Sequence, residues 1–281
     1  MTIAVTAVTG QLGRATAQAL IDLNLSETVI GLARTPAKAA DLGIEVRLGD
    51  YTRPDDLRAS LQGVDTLFLI PGKDAPDARI GQHRSVIDAA KKAGVSKIVF
   101  ASIQGPDAGT AFSPVVQSNR QTEADIRASG MDFAIGRNGI YMEPDIDYID
   151  TYKDAGEIAN SAGNGKVGYA TRPELAVAFA HLLTKPALNG KVANLHGTPI
   201  SQAELATYLN GAFGTNLTYR AMSTEAYLAD RTAELGDFIG PIIAGIYDGI
   251  RLGAYDNPSD FEAVTGRPHQ SWDAYFAALS K

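Results

Sequence analysis

Two glycines three residues apart close the turn Thr6-Ala7-Val8-Thr9-Gly10-Gln11-Leu12-Gly13. A short apolar run precedes it and a helical pattern follows at once. Such a turn leaves main-chain N–H groups and the positive end of a helix dipole free to meet an anion, and glycine lets a diphosphate approach the backbone closely. Thr6, Ala7, Thr9, Gly10, Gln11, Leu12 and Gly13 are therefore candidate diphosphate contacts. Ala7 stands where the extended pattern Gly-x-x-Gly-x-x-Gly has its first glycine. An alanine is tolerable there if it keeps φ below zero, at the cost of some clearance for the phosphate. The alternative for the turn read alone, the less favoured of the two, is a tight strand-to-helix connection that binds nothing.

Arg34 follows roughly 20 residues later, where an acid marks the ribose 2′-OH of NAD and a basic residue marks the 2′-phosphate of NADP. Thr35 is adjacent and Lys38 lies one helical turn on. A guanidinium meets a phosphate with a planar fork of N–H donors, and the plain alternative is a solvated arginine at a strand end. Asp50 and Tyr51 would border an adenine, and the main chain of Ile70-Pro71-Gly72 would line the dinucleotide. At the carboxyl ends of the next strands stand Ser102, Asn138 and Tyr141. Ser102 is a candidate hydrogen-bond donor to a substrate oxygen, and Tyr141 can stack on a flat substrate or donate its hydroxyl. Each is as readily a turn or packing residue. Asn164 and Lys166, in a glycine-rich loop, are weaker candidates for closing over a substrate.

These residues need a scaffold that brings strand ends to one edge. Apolar strands are expected over 3–8, 28–34, 64–70, 97–102 and 132–137, with a more polar edge strand over 45–50. Helices are expected between them: from Leu12 to a break at Asp22 and Asn24, after the Thr35-Pro36 start, over 54–61, over 77–93 and over 116–128. Strands alternating with helices imply an α/β protein with a doubly wound parallel sheet of the Rossmann type. Past Asn138 the pattern changes. Short strands fit 157–160, 167–170 and 191–195, and helices fit 173–185, 201–213, 224–235, 238–252, 259–264 and 272–279. We expect residues 1–140 to form the nucleotide-binding domain and residues 141–281 a mainly substrate-binding smaller α/β lobe, with some later segments returning to the sheet.

Composition narrows the chemistry. Of 281 residues 45% are hydrophobic and 20% charged, as in an ordinary globular protein. The formal net charge of −7 and the lack of any Lys/Arg block argue against nucleic acid or an anionic membrane as a partner. With no cysteine there is no disulfide or thiol chemistry, and the four scattered histidines lack ligand spacing, so no metal site is expected. No apolar run reaches the roughly 18 residues of a membrane span, and the chain enters a strand without a leader-like start. A cytoplasmic protein, monomer or homodimer, acting on a small molecule is expected.

The turn at 6–13, the stretch Ala33-Arg34-Thr35-Pro36-x-Lys38, the corner Gly49-Asp50-Tyr51, the run Arg137-Asn138-Gly139-Ile140-Tyr141 and the segments 162–166 and 170–172 resemble the NmrA-like group of atypical short-chain dehydrogenases. Within that group the chain is most similar to the NADPH-dependent quinone oxidoreductases and triphenylmethane reductases. The resemblance implies a Rossmann domain, NADP(H), and a pocket between the sheet edge and the C-terminal lobe. It also places Asn119 where related reductases carry His or Lys, making it a fourth candidate catalytic residue. Two departures stand out. Ala7 replaces the family's glycine, and no tyrosine has lysine four residues later, so the usual Tyr-x-x-x-Lys proton relay is absent. Hydride transfer to an already electrophilic acceptor needs no such relay, because the cofactor carries the hard chemistry. The expectation is an NADPH-dependent reductase of quinone-like or other conjugated electrophiles. The alternative is a regulatory protein that senses NADP(H) without turnover.

Overall fold

A computed structural model describes residues 1–23 and 26–280 of the chain; Asn24 lies outside the described residues. Six strands, β1 (Thr2–Val5), β2 (Thr28–Ala33), β3 (Glu45–Leu48), β4 (Thr66–Leu69), β5 (Lys97–Ile103) and β6 (Asp132–Asn138), are joined by later strand Val192–Leu195 in one parallel sheet. The order is Val192–Leu195, β6, β5, β4, β1, β2, β3. It reverses between β1 and β4, so the chain leaves their carboxyl ends in opposite directions and opens a crevice there. Helices α1 (Gln11–Asp22), α2 (Pro54–Ser60), α3 (Pro76–Ala93) and α4 (Ser113–Ala128) connect the first six strands. β1, β4 and β5 are buried nearly end to end, as strands covered on both faces must be. The more polar β3 sits at the edge, half-exposed. One apolar cluster packs α1 and the helix Arg172–Thr184 on one face, and a second packs α2 and α3 on the other.

The segment beyond residue 140 contributes to both parts. Val192–Leu195 extends the sheet by pairing with β6. Arg172–Thr184 and Phe261–Thr265 pack on the sheet, and most of the rest forms a lobe with its own core, built on Tyr169, Leu205, Ile250, Trp272 and Phe276, and joined at the start of α4 by Phe112 and Val116. Its helix Gln202–Phe213 opens with the Ser201/Glu204 capping box formed in both directions. One local expectation is corrected: Thr35 makes no side-chain capping hydrogen bond, and Pro36–Leu42 is a 3₁₀ stretch. The two helices expected over 224–235 and 238–252 are present, meeting within Thr224–Arg251 at a kink at Gly236, whose φ of 80° is outside helical space.

A second correction concerns Ala7, which has φ +47°, the one non-glycine residue with positive φ among those described. Its carbonyl turns inward to accept the Gly10 N–H at 2.8 Å. Gly13 packs so tightly on the same carbonyl that a Cβ there would lie 2.5 Å from the Ala7 oxygen. The turn thus forces the left-handed conformation on whatever residue occupies position 7. Left-handed backbone costs a β-carbon-bearing residue roughly 1–2 kcal/mol, and glycine's extra unfolded-state entropy returns about half of that. Ala7→Gly should therefore stabilise the fold by about 0.5–1 kcal/mol and leave cofactor affinity equal or higher. Urea denaturation together with a cofactor titration checks this; a destabilised Ala7→Gly would mean the turn is not strained.

Candidate active site

The crevice between β1 and β4 is a cleft of about 1070 Å³. Ala7, Thr9, Gly10, Gln11, Leu12 and Gly13 form one wall, Arg34, Asp50 and Tyr51 one end, and Ile70, Pro71 and Gly72 the opposite wall. The turn suits an anion. Helix α1 starts at Gly10 without a side-chain cap and carries no acid in its first turn, so its first N–H groups remain available. The floor is held from beneath. Thr6 Oγ1 accepts the Ile70 N–H at 2.9 Å and lies 2.6 Å from Tyr51 Oη, which is also 2.8 Å from the Ile70 carbonyl oxygen. Thr6 is fully buried, so it supports the cleft rather than lining it. Asp50 spends its carboxylate on the Thr52 N–H and hydroxyl. Those bonds, helped by the charge of Arg34, hold Asp50 below the usual carboxylate range. Of the residues proposed for the phosphate end, Arg34 alone borders the cleft; Thr35 and Lys38 are exposed outside its lining.

Two of the four catalytic candidates are corrected. A strand alternates its side chains between faces, and on β5 it is Ala101 and Ile103 that face the cleft. Ser102 points the other way, fully buried, with its hydroxyl donating to Glu123 Oε1 at 2.7 Å. Asn119 is buried in α4, donating to the Val115 carbonyl, and lines neither cavity. Asn164 and Lys166 also lie outside both linings.

Asn138 and Tyr141 do meet. Asn138 Nδ2 donates to Tyr141 Oη at 3.3 Å, and the Arg172 guanidinium covers the Tyr141 ring at 4.8 Å. Arg172 is in turn held by Glu143 at 3.3 Å. Burial pushes the Tyr141 phenol above its ordinary pKa, so it stays protonated. Asn138 Oδ1 is buried without a partner among the described residues. An N–H donor, such as the carboxamide of a nicotinamide, satisfies it, and the open turn and Arg34 suit the diphosphate and 2′-phosphate at the other end.

At Asn138, Tyr141 and Ile103 the cleft adjoins a second cavity of about 410 Å³. Its walls are mostly aromatic and aliphatic: Phe112, Ile140, Tyr148, Tyr152, Tyr227, Ile243, Ile246 and Tyr247. Two charged residues reach it. Arg231 is paired with Asp230 and Glu234. Asp145 is 5% exposed, and the Tyr152 hydroxyl donates to its Oδ1 at 2.8 Å. Reading the sequence does not reveal this cavity, because its tyrosines lie on three separate segments. Arg172 and Asp145 do leave a trace: one follows the strand Tyr169–Ala170, and the other sits four residues past Tyr141.

Sheet order, open turn and cleft define a Rossmann-type dinucleotide-binding protein. The chain belongs to the NAD(P)H-binding family, whose pattern matches residues 8–186. It is 32% identical over 272 residues to quinone oxidoreductase 2 of Escherichia coli, covering 95% of this chain and 94% of that protein. Among solved structures, an NADPH-dependent quinone oxidoreductase from Escherichia coli complexed with NADPH matches with TM-score 0.91 and 30% identity, over 99% of this chain and 100% of that one. Triphenylmethane reductase from Citrobacter sp., complexed with NADP(H), matches with TM-score 0.89 and 29% identity over 99% of each chain. These relatives are oxidoreductases.

Proposed function

We propose that the protein is an NADPH-dependent reductase of small, flat, conjugated electrophiles, quinone-like compounds foremost, and that it works without a Tyr-x-x-x-Lys relay. One observation carries this reading: the aromatic cavity opens directly onto the cleft at Asn138 and Tyr141. A protein that only senses NADP(H) has no use for such a chamber, whereas a reductase must seat an acceptor beside the cofactor's reactive end. Bound NADPH supplies the hydride. The chain's own contribution is orientation and exclusion of water. The α1 turn and Arg34 fix one end of the dinucleotide, Asn138 turns the other, and the phenols and aliphatic side chains keep the acceptor in an apolar space. Support comes from the relatives, which include a quinone oxidoreductase and a triphenylmethane reductase.

In this reading Tyr141 is a wall more than an acid. Tyr141→Phe keeps the ring beneath Arg172 and removes only the hydroxyl. It should lower kcat/KM by less than the ~10²–10⁴-fold typical of a lost general acid. Tyr141→Ala should cost more, because the wall itself is gone. Steady-state NADPH oxidation on the best acceptor distinguishes them. A fall to background with Tyr141→Phe would make Tyr141 the acid and refute this assignment.

A further inference from the structure

Reduction of a neutral acceptor needs a proton as well as a hydride, and the second cavity holds a group able to give one. Asp145 lies in the short helix Glu143–Asp147, which begins two residues past Tyr141, and borders the cavity. Among the described residues it pairs with no cation. Its carboxyl accepts from the Tyr152 hydroxyl of the helix Ile149–Ala155 and is bonded by the Tyr169 phenol as well. The strand Tyr169–Ala170 brings Tyr169 beside it, with Gln202 donating to that phenol at 3.1 Å. Thr224–Arg251 contributes Tyr227, Tyr247 and Arg231, the last neutralised by Asp230 and Glu234. Burial favours the neutral, proton-bearing form of this carboxyl and outweighs the phenol hydrogen bonds from Tyr152 and Tyr169, which favour the charged form. The nearby phenols are themselves held protonated by burial.

From this placement we propose that Asp145 is the proton donor to neutral acceptors reduced in this cavity. The proposal rests on the function argued above. An acceptor that has gained a hydride as a new bond to hydrogen carries an extra electron pair on oxygen or nitrogen. That pair takes the Asp145 proton: an O–H or N–H bond forms on the acceptor, the carboxyl O–H breaks, and water reprotonates the carboxylate. The acceptor is reduced by two electrons and the dinucleotide is oxidised by two. A carbocation acceptor becomes neutral on receiving hydride and draws no proton from Asp145. Burial raises the Asp145 pKa from 3.8 to about 6, so the donor form is lost as the pH climbs past that value.

The test compares two acceptors, a neutral quinone and a triphenylmethane cation, in single-turnover NADPH oxidation by wild type and Asp145→Asn from about pH 5 to about pH 8. For wild type, the quinone rate should fall tenfold per pH unit above about pH 6, and the cation rate should not follow it. For Asp145→Asn the quinone-to-cation rate ratio should drop by on the order of 10²-fold, and the fall above that pH should disappear. A readout free of turnover uses unfolding of both proteins without cofactor. Here the folded-state pKa is raised, so stability from the protonated carboxyl is fully present below 3.8 and is lost as the pH passes about 6. Wild type should therefore weaken relative to Asp145→Asn across that window. Equal loss on both acceptors would make Asp145 a structural residue and overturn the proposal. So would a flat quinone profile in wild type, or stabilities that do not diverge. If wild type reduces neither acceptor, the functional reading falls and this proposal with it; if it reduces both and only the Asp145 results fail, the reading stands alone.

Discussion

Glu123→Ala should lose roughly 3–5 kcal/mol of folding stability, the loss expected when one partner of a buried charge network is removed. The Glu123 side chain is 1% exposed, yet it holds three arginines. Arg137 donates to both its oxygens at 2.9 and 2.7 Å, Arg120 donates at 3.0 Å and Arg127 at 3.3 Å. Ser102 adds a hydroxyl at 2.7 Å. Burial alone would raise the carboxyl's pKa. The Arg137 fork and the Ser102 hydroxyl, with the charges of Arg120 and Arg137, outweigh it and leave the group below its ordinary value. A depressed carboxylate pKa stabilises the fold above the unfolded-state value and ceases to as the pH falls through the folded one. The Glu123→Ala deficit should therefore be largest at neutral pH and shrink in acid. Because Ser102 is in β5 and Arg137 in β6, the network ties together the two strand ends that carry Ile103 and Asn138 into the site. Denaturant unfolding near neutral pH and again in acid measures both effects. A loss under about 1 kcal/mol would show that the arginines find water instead and that the network is dispensable.

The second large effect concerns cofactor choice. Arg34→Ala should weaken NADPH binding by on the order of 1.5–3 kcal/mol, the range for a hydrogen bond to a charged group, and leave NADH nearly unchanged. Asp50 sharpens the outcome. Its carboxylate stands close enough to feel the charge of Arg34. With the guanidinium gone, an uncompensated acid remains at the end of the cleft where a 2′-phosphate would rest. The wild-type preference for NADPH should vanish or invert. Fluorescence titration of both cofactors against both proteins measures it. A wild type that prefers NADH, or a substitution that leaves the preference intact, would reduce Arg34 to a solvated strand end.

Much of the nucleotide half is legible in the chain. β1, β4 and β5 read as apolar runs because both their faces are covered, and the glycine turn reads as a candidate anion site from its spacing and residue types, which a plain strand-to-helix turn shares. Directions are harder to read. Whether Ser102 or its neighbours face the cleft depends on the register of β5 in the sheet, which composition does not encode. Asn119 entered through family resemblance, and its helix buries it against Val115 instead. Position 7 adopts positive φ because Gly10 and Gly13 close on its carbonyl, a constraint set by three residues together. The acceptor cavity is the least legible part. Tyr148 and Tyr152 are neighbours at helical spacing, but Tyr227 and Tyr247 reach them only through packing of the lobe, and nothing in the sequence around either pair signals the other. Asp145 takes its meaning from that convergence, since an acidic residue beside a proline ordinarily signals only a helix start.

The central claim is that the adjoining cavities serve hydride transfer, and the most direct measurement is NADPH oxidation by the purified wild-type protein across a panel of quinones, conjugated carbonyls, imines and triphenylmethane cations. The account predicts saturable turnover of at least one flat conjugated acceptor, faster with NADPH than with NADH. NADPH that binds tightly yet is oxidised no faster than in the absence of protein, whatever the acceptor, would contradict it and make the protein a sensor of the dinucleotide.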